Sequence, residues 1–496
     1  MMLVSLPAFV FGGLSVLGWS PFEYWWMALS GYGVLFHLLS GRSSAWQSAV
    51  VGFAYGLGLN LVGHGWAMDA LHGKVGMGLF PAILGTSVFI IYVALFTSIP
   101  CWLWHVLIKR NGFTGKHLPV AAFAALLTLG EWARSLFFDG FTSLSLGYSL
   151  VDTWLAGYAP ILGLYGLSWL GYYLSGIVAL TLRERANWLK TAIAVGLIGA
   201  VGFGLHGVDW VTPSGTPLSY RLLQTNVPQE RKFDPFFMRQ QEQRFVEAIE
   251  RQRADLVITP ETVFTVYLSD LSSDILSRLQ QFSRRTDSHL FIGIPTFNAR
   301  GEGHNSLIHV APGKSEIGQY DKVSLMPFGE YSPAGFGWFT RSIHIRLKDL
   351  SPGKSGQQPF MVNKQRISAL ICHEEEVRRW PDVPNVVINP SNLAWFEGSL
   401  AIDQRLQMVR MRGLEYGRPV LRATNTGITA HIDHRGAVLK RLPKAEEDAL
   451  TGQVQPMEGK TPYALWGDWP VVSGGALLLV FAWSFNWSRY RVTKRS

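Results

Sequence analysis

Charge is what the first part of this sequence lacks. Residues 1–207 contain nine basic and six acidic side chains, where a water-soluble domain of that size would carry about one charged residue in four. That scarcity excludes an ordinary soluble domain there. Cysteine is almost missing as well. Only Cys101 and Cys372 occur in 496 residues, which excludes a disulfide scaffold and a Cys-rich zinc site. Internal repeats and low-complexity tracts are not evident. What is plentiful is apolar and aromatic: 48% hydrophobic residues, 51 glycines, 19 tryptophans and 29 phenylalanines. This composition excludes a disordered, collagenous or coiled-coil protein. The net charge of +9 invites a nucleic-acid partner, but only if the charge is gathered on one face.

It is not gathered. The charge divides into +3 for residues 1–207, +2 for 208–487 and +4 for 488–496. A bilayer core of ~30 Å needs about 20 mostly apolar residues in a helix. Runs at roughly 3–19, 22–40, 46–66, 79–107, 118–137, 158–182 and 189–206 meet that need, and an eighth lies at 469–487. The first run has no basic leader and no small-residue cleavage site, so it reads as a retained helix rather than a signal peptide. Basic residues in short loops mark the cytoplasmic side. Arg42, then Lys109, Arg110 and Lys116, then Arg183, Arg185 and Lys190 follow the even-numbered spans. Lys74 and Arg134 follow odd ones, beside Asp69 and Asp139. The expected topology therefore puts both termini in the cytoplasm and the long segment between spans seven and eight outside. The expected domains are a seven-helix membrane domain at 1–207, an extracytoplasmic domain at 215–460, a closing helix at 469–487 and a basic cytoplasmic tail at 488–496.

Residues 215–460 alternate strand and helix patterns. Strands are expected at 222–226, 256–259, 290–294, 306–310, 367–372, 386–389 and 420–423. Helices are expected at about 236–253 and 399–416, the second with Met408, Met411 and Leu414 on one stripe. The segment 333–358 reads as an irregular arm or lid. An alternating α/β domain usually carries its reactive groups beyond the C-termini of its strands.

Glu261, Lys322 and Cys372 stand at such places. A thiol with a pKa near 8.5 needs a base or a positive neighbour to become a nucleophile. A carboxylate can accept its proton, and an ammonium can stabilise the oxyanion formed when sulfur attacks a carbonyl. Singly, each residue is unremarkable: a lone cysteine at a strand end is commonly core, and a lone Glu or Lys is commonly solvated. In that order and spacing, however, they resemble the Glu-Lys-Cys triad of the nitrilase (carbon–nitrogen hydrolase) superfamily. Longer phrases narrow the resemblance: Asn226-Val227-Pro228-Gln229, Thr259-Pro260-Glu261-Thr262, Met326-Pro327-Phe328-Gly329-Glu330-Tyr331 and Arg418 through Gly427. Together with the helix arrangement they are similar to the apolipoprotein N-acyltransferase family, the membrane-bound branch of that superfamily.

The resemblance implies a multi-pass α-helical membrane domain of about eight helices and an extracytoplasmic α/β nitrilase-like αββα sandwich. It implies a ping-pong transfer from the sn-1 position of a phospholipid such as phosphatidylethanolamine to the amine of S-diacylglyceryl-cysteine on apolipoproteins. The site would face the periplasm at a Gram-negative inner membrane. Cys372 would be the nucleophile, Glu261 the general base and Lys322 the oxyanion stabiliser. Glu330 and Glu374 would be supporting carboxylates, with His373 and Phe233 positioning substrate. No cofactor, metal or nucleic acid is implied, and a monomer suffices. The sequence departs from the family pattern at His373 (usually Tyr), Phe233 (commonly Trp), Leu393 (usually Asp) and Glu397 (usually Gly). These departures leave open a paralogue with altered substrate. A membrane-tethered amidase or nitrilase with water as acceptor predicts the same Cys372 intermediate. A transporter or inert scaffold is a third class, but no paired helix sets or lines of intramembrane charge favour it.

Other residues read more plainly. His64 and His72 suit structural or headgroup contacts, since no ligand-spaced partners accompany them. Glu131 and Arg134, one turn apart, suit an ion pair or headgroup contact. Trp19, Tyr24, Trp25, Trp26, Trp466 and Trp469 suit interfacial anchors. Cys101 suits packing.

Overall fold

The computed structural model describes residues 2–109, 117–137, 140–184, 188–232, 234–335, 337, 349–377, 380 and 382–493. Phe233, part of the expected arm (336 and 338–348), and the topology markers Arg110, Lys116, Asp139, Arg185, Lys494 and Arg495 lie outside the described residues. The chain forms two compact units. One comprises Met1–Met68, Leu79–Asp209 and Thr461–Ser496; the other comprises Asp69–Gly78 and Trp210–Lys460.

In the first unit, helices occupy the apolar runs: Met2–Ser15, Trp25–Ser40, Ala45–Gly63, Leu79–Trp104, His117–Arg134, Ala159–Glu184, Trp188–His206 and Trp469–Thr493. Local chemistry sets their starts. Ser44 caps the third, its side chain accepting the Gln47 N–H one turn on, as an N-cap serine does. Among the described residues, three helical stretches, Leu79–Ile108, Trp154–Glu184 and Trp188–His206, are long and apolar enough to cross a bilayer. In the first and third, many large side chains point outward: Phe80, Leu84, Val88, Ile193, Leu197 and Phe203 are exposed, while Ala82, Thr86, Ala94, Cys101 and Gly202 are buried; the second is mostly buried, Leu164, Tyr165 and Tyr172 included. A surface this apolar is built to meet something other than water.

Two expectations change in this unit. Trp19 is buried and donates its indole N–H to the Ser145 carbonyl at 3.1 Å, so it is a core residue and not an interfacial anchor. Glu131 and Arg134 are buried too, and their partners are not headgroups. The cause is the segment between Gly140 and Tyr158, which is not a continuous helix and so leaves backbone groups without helical partners. Arg134 donates to the carbonyls of Thr142 (3.3 Å) and Ser143 (2.8 Å). Glu131 accepts the Leu146 N–H at 2.8 Å and the Tyr172 hydroxyl at 2.6 Å. His64 is structural, joined to Asn60 at 2.8 Å and to Ser143 at 3.1 Å.

The second unit contains strands β1 (Thr212–Pro213), β2 (Leu218–Gln224), β3 (Leu256–Ile258), β4 (His289–Phe297), β5 (Gly303–Val310), β6 (Gly318–Asp321) and β7 (Phe360–Val362). It continues with β8 (Gln365–Ala369), β9 (Val386–Ser391), β10 (Val420–Thr424), β11 (Ala430–Ile432), β12 (Val438–Arg441), β13 (Asp448–Val454) and β14 (Met457–Glu458). One sheet has the order β13-β2-β3-β4-β5-β6 and the other β12-β11-β10-β9-β8-β7, while β1 pairs with β14. The triplets β2-β3-β4 and β8-β9-β10 are parallel, and their neighbours are antiparallel.

Side chains alternate across a strand, and the sequence uses both faces. Leu222, Ile258, Phe291 and Leu307 share one core with Ile367, Ile388, Leu421 and Ala423 of the other sheet. Their neighbours Leu223, Val257, Ile292 and Ile308 pack instead with Val246, Ile249, Leu279 and Phe282. These last come from helices Pro235–Glu250 and Ser273–Thr286. Arg422, between Leu421 and Ala423, faces away from the inter-sheet core toward Glu375 and, through it, helix Ala401–Tyr416. The layers are therefore helix, sheet, sheet, helix. Helix Ala401–Tyr416 is buried on every side rather than along one stripe, because Arg405 and Arg412 are paired with buried glutamates.

Candidate active site

Glu261, Lys322 and Cys372 each lie just past a strand end, after β3, β6 and β8 respectively. At Glu261 and Cys372 the chain leaves a parallel ladder for a local reason. Pro260 has no N–H to give, and Thr262 turns into the left-handed region at φ 46°. Cys372 has φ 48°, a conformation that costs a residue with a Cβ about 1 kcal/mol or more. It is held there from both sides: its N–H donates to the Pro390 carbonyl at 2.9 Å, and its carbonyl accepts the Glu375 N–H at 3.2 Å. The turn ends the strand three residues before the expected position.

Glu261 is almost fully buried. One carboxylate oxygen accepts from Asn305 Nδ2 at 2.7 Å and Lys322 Nζ at 3.1 Å; the other accepts the Asn392 N–H at 2.8 Å. Burial by itself would push its pKa up. The Lys322 and Lys232 ammoniums, with these hydrogen bonds, instead hold it below the ordinary carboxylate value. Lys322 also reaches Glu330 Oε2 at 2.7 Å. Burial opposes its charge, but Glu261 and Glu330 outweigh burial and hold the ammonium well above the usual lysine range. Asn305 closes the arrangement by donating to Glu330 Oε1 at 2.6 Å as well. The Cys372 thiol is half-buried, and burial together with the Glu261 charge pushes it up to about 12, against the pull of Arg405 and Lys322. Such a thiol rests protonated at neutral pH and needs a base beside it. Glu261 is ionised and suited to that task.

Glu374 joins two of these strand ends. Oε1 accepts from the Tyr320 hydroxyl (2.6 Å) and the Val323 N–H (2.8 Å), and Oε2 accepts the Ile371 N–H (2.8 Å). The loop carrying Lys322 is thereby tied to the turn carrying Cys372. Burial raises Glu374 to about 7 despite these bonds. His373 is buried, its Nδ1 3.4 Å from Glu376 Oε1. Glu375 and Glu376 are buried and neutralised by Arg405 at 2.8 and 3.0 Å, with Arg422 also on Glu375.

Several participants carry no mark in the sequence. Asn305 is one polar residue in a strand, Lys232 sits in a run that looks like solvated charge, and Arg405 reads as the polar side of a helix. Asn425 falls within a quoted phrase and Asn392 stands beside the departure at Leu393, and the structure gives both a reason. Asn425 accepts the Val227 N–H at 2.8 Å and donates to Asn392 Oδ1 at 3.0 Å, and Asn392 donates to Gln229 at 2.9 Å. Three separate segments are thus laced together behind Glu261. Of the departures, Leu393 is buried against Gly427, and Glu397 pairs with Lys74 at 3.1 Å.

Residues 11–177 match the apolipoprotein N-acyltransferase N-terminal domain, and residues 222–463 match the carbon-nitrogen hydrolase domain. The chain is 34% identical over 483 residues to an apolipoprotein N-acyltransferase of Ralstonia nicotianae, covering 96% of this chain and 92% of that one. It is also 34% identical over 485 residues to that of Nitrosomonas europaea, covering 96% of each. A carbon-nitrogen hydrolase structure from Helicobacter pylori aligns with a TM-score of 0.36 at 13% identity, over 48% of this chain and 89% of that one. Similarity of this extent along both chains shows that the protein is an acyltransferase belonging to the apolipoprotein N-acyltransferase family.

Proposed function

We propose that this enzyme transfers a fatty acyl chain from the sn-1 ester of a phospholipid to the α-amine of diacylglyceryl-cysteine on apolipoproteins, through a thioester on Cys372. The observation that carries the reading is an ionised, cation-held Glu261 serving a protonated thiol in a strained turn, in a chain of this family.

In the first half-reaction Glu261 takes the Cys372 proton and the thiolate attacks the ester carbonyl. Lys322 stabilises the oxyanion. Collapse breaks the ester bond, and Glu261 returns the proton to the departing glycerol oxygen, giving a lysophospholipid and the thioester. In the second half-reaction the neutral amine attacks the thioester, Glu261 accepts its proton, and the proton passes to the leaving sulfur. The products are an amide and the regenerated thiol. Glu330, with Asn305, orients Lys322, and Glu374 fixes its distance from the nucleophile. His373 and Phe233 are assigned to substrate positioning.

Both substrates are lipids, so the reading includes a membrane-embedded helical domain before residue 207, a closing helix at 469–487 and a catalytic domain facing the periplasm of the inner membrane. The outward apolar faces of the helices support it. The test incubates purified protein with acyl-labelled phosphatidylethanolamine, then adds a diacylglyceryl-cysteine peptide. Label is expected on Cys372 first and on the peptide amine second, with neither in Cys372→Ala. Release of free fatty acid as the sole product, with the peptide left unlabelled, would point to a hydrolase and end this proposal.

A further inference from the structure

Glu261 and Glu330 bring two negative charges to Lys322, and Lys322 answers only one of them. A buried site left with a net charge is costly, and the missing cation should be near. Lys232 supplies it. It is buried, with 3% of its surface exposed. Its ammonium donates to the backbone carbonyl of Glu261 itself at 3.1 Å and to the Thr262 hydroxyl at 3.0 Å. Its own backbone N–H is held by the Pro228 carbonyl at 3.1 Å, so the side chain springs from a fixed turn. The contacts fall on the two residues whose backbone leaves the strand, Thr262 being the one in the left-handed region. A surface lysine has no reason to be there.

We propose that Lys232 is a positioning residue for the acyl-transfer reaction: it clamps the Glu261–Thr262 turn and provides the second positive charge that keeps Glu261 an anionic base and then faces the Cys372 thiolate. The proposal rests on Glu261 being the base of the preceding section. The proton balance favours such a group. When Glu261 takes the thiol proton, the negative charge moves from carboxylate to sulfur, and a cation beside both groups serves each state. The charged groups acting on Glu261 are Lys322 from beyond β6, Lys232 from the loop after β2, Arg405 from helix Ala401–Tyr416 and the Cys372 sulfur. Those acting on Lys232 are Glu261 and Cys372. Burial pushes Lys232 down to about 8, with Glu261 and Cys372 opposing, so its charge is lost on the mildly alkaline side, where Lys322 keeps its own.

The experiment measures single-turnover labelling of Cys372 by acyl-labelled phosphatidylethanolamine in micelles, from about pH 3 to about pH 10. Wild type, Lys232→Met, Lys232→Arg and Glu261→Gln are compared. Removing the charge should move the acid limb of Lys232→Met up by about one pH unit, because Glu261 loses a cation that favoured its ionised form. Wild type should lose rate above about pH 8 as Lys232 deprotonates. Lys232→Arg, which stays charged, should keep the wild-type acid limb and lack that alkaline fall. A merely structural lysine would lower the rate without moving either limb, and profiles of unchanged shape in both variants overturn the proposal. Should Lys232→Met fail to fold, Lys232→Arg decides: an alkaline fall matching wild type overturns it. No label on wild-type Cys372, or normal labelling of Glu261→Gln, fails the underlying reading and takes this one with it.

Discussion

The two units bury charge for different ends. Among the described residues, the helical unit keeps Glu131 and Arg134 inside and spends both on backbone groups of a segment that has left helical geometry. The sheet unit buries more charge, and there much of it answers charge: Lys322 with Glu261 and Glu330, Arg405 with Glu375 and Glu376, Arg412 with Glu415. The helical unit also turns many large apolar side chains of Leu79–Trp104 and Trp188–His206 outward, whereas the sheet unit packs most of its own between and against its sheets. A buried charge in the first is a structural cap. In the second, Arg221 and Arg418 also serve backbone carbonyls, but the charges around Glu261 form a balanced set, and such a set can pass a proton without changing its total.

Arg134→Met gives the largest expected effect on this contrast. It strands the Thr142 and Ser143 carbonyls and leaves Glu131 without its nearest cation, a loss on the order of 3–5 kcal/mol. Glu131→Gln retains an acceptor for the Leu146 N–H and should cost less, about 1–3 kcal/mol. Thermal unfolding of the detergent-solubilised protein measures both. If Arg134→Met melted with wild type, the helical unit's charges would not be caps at all.

Two close approaches sharpen the contrast. A Cβ on Gly58 would sit 1.9 Å from the Phe9 carbonyl oxygen, where two helices touch; a Cβ on Gly293 would sit 2.3 Å from the Pro260 oxygen and 2.6 Å from the Thr262 nitrogen. Either alanine overpacks its site by about 1–3 kcal/mol. The consequences for chemistry should differ. Gly58→Ala should lower the melting temperature while the folded fraction acylates Cys372 at the normal rate. Gly293→Ala pushes directly on the turn that carries Glu261, where a displacement of ~1 Å can cost about a hundredfold. Acylation per folded molecule separates the cases, and equal losses in both variants would erase the distinction.

Much of this was legible from residue order, for reasons that have limits. Helices stand where the apolar runs stand because an apolar run kept from water must satisfy its own backbone, and hydropathy reads that constraint directly. Strand ends at Glu261 and Cys372 were readable because proline and polar residues interrupt short β-branched runs. What composition cannot show is pairing across distance. Trp19 looks like an anchor until Ser145 lies over it, and Glu131 looks like a headgroup contact until Leu146 needs an acceptor. Asn305, Lys232 and Arg405 belong to the site only because folding brings β5, a loop and a helix around one carboxylate. Helix Ser273–Thr286 was not anticipated although Ile275, Leu279 and Phe282 stand at helical spacing and form its buried face.

The smallest expected effect concerns a segment that crosses the division. Residues Asp69–Gly78 lie between long helices in sequence yet belong to the sheet unit. Lys74 reaches Glu230 at 2.8 Å and Glu397 at 3.1 Å, joining that segment to the ends of two strand-following loops. The lysine is partly exposed and both glutamates are more so. Pairs of this kind contribute about 0.2–1 kcal/mol and weaken as salt rises. Lys74→Met should therefore lower the melting temperature slightly at low ionic strength and not measurably at high ionic strength. The buried set behaves oppositely, because solvent ions do not reach Lys322: loss of its partner in Glu330→Gln should persist at high salt. If Lys74→Met instead unfolded the sheet unit at every salt concentration, the segment would be a structural part of that unit's core, and the simple ranking of buried pairs over exposed ones would fail where the chain passes between the units.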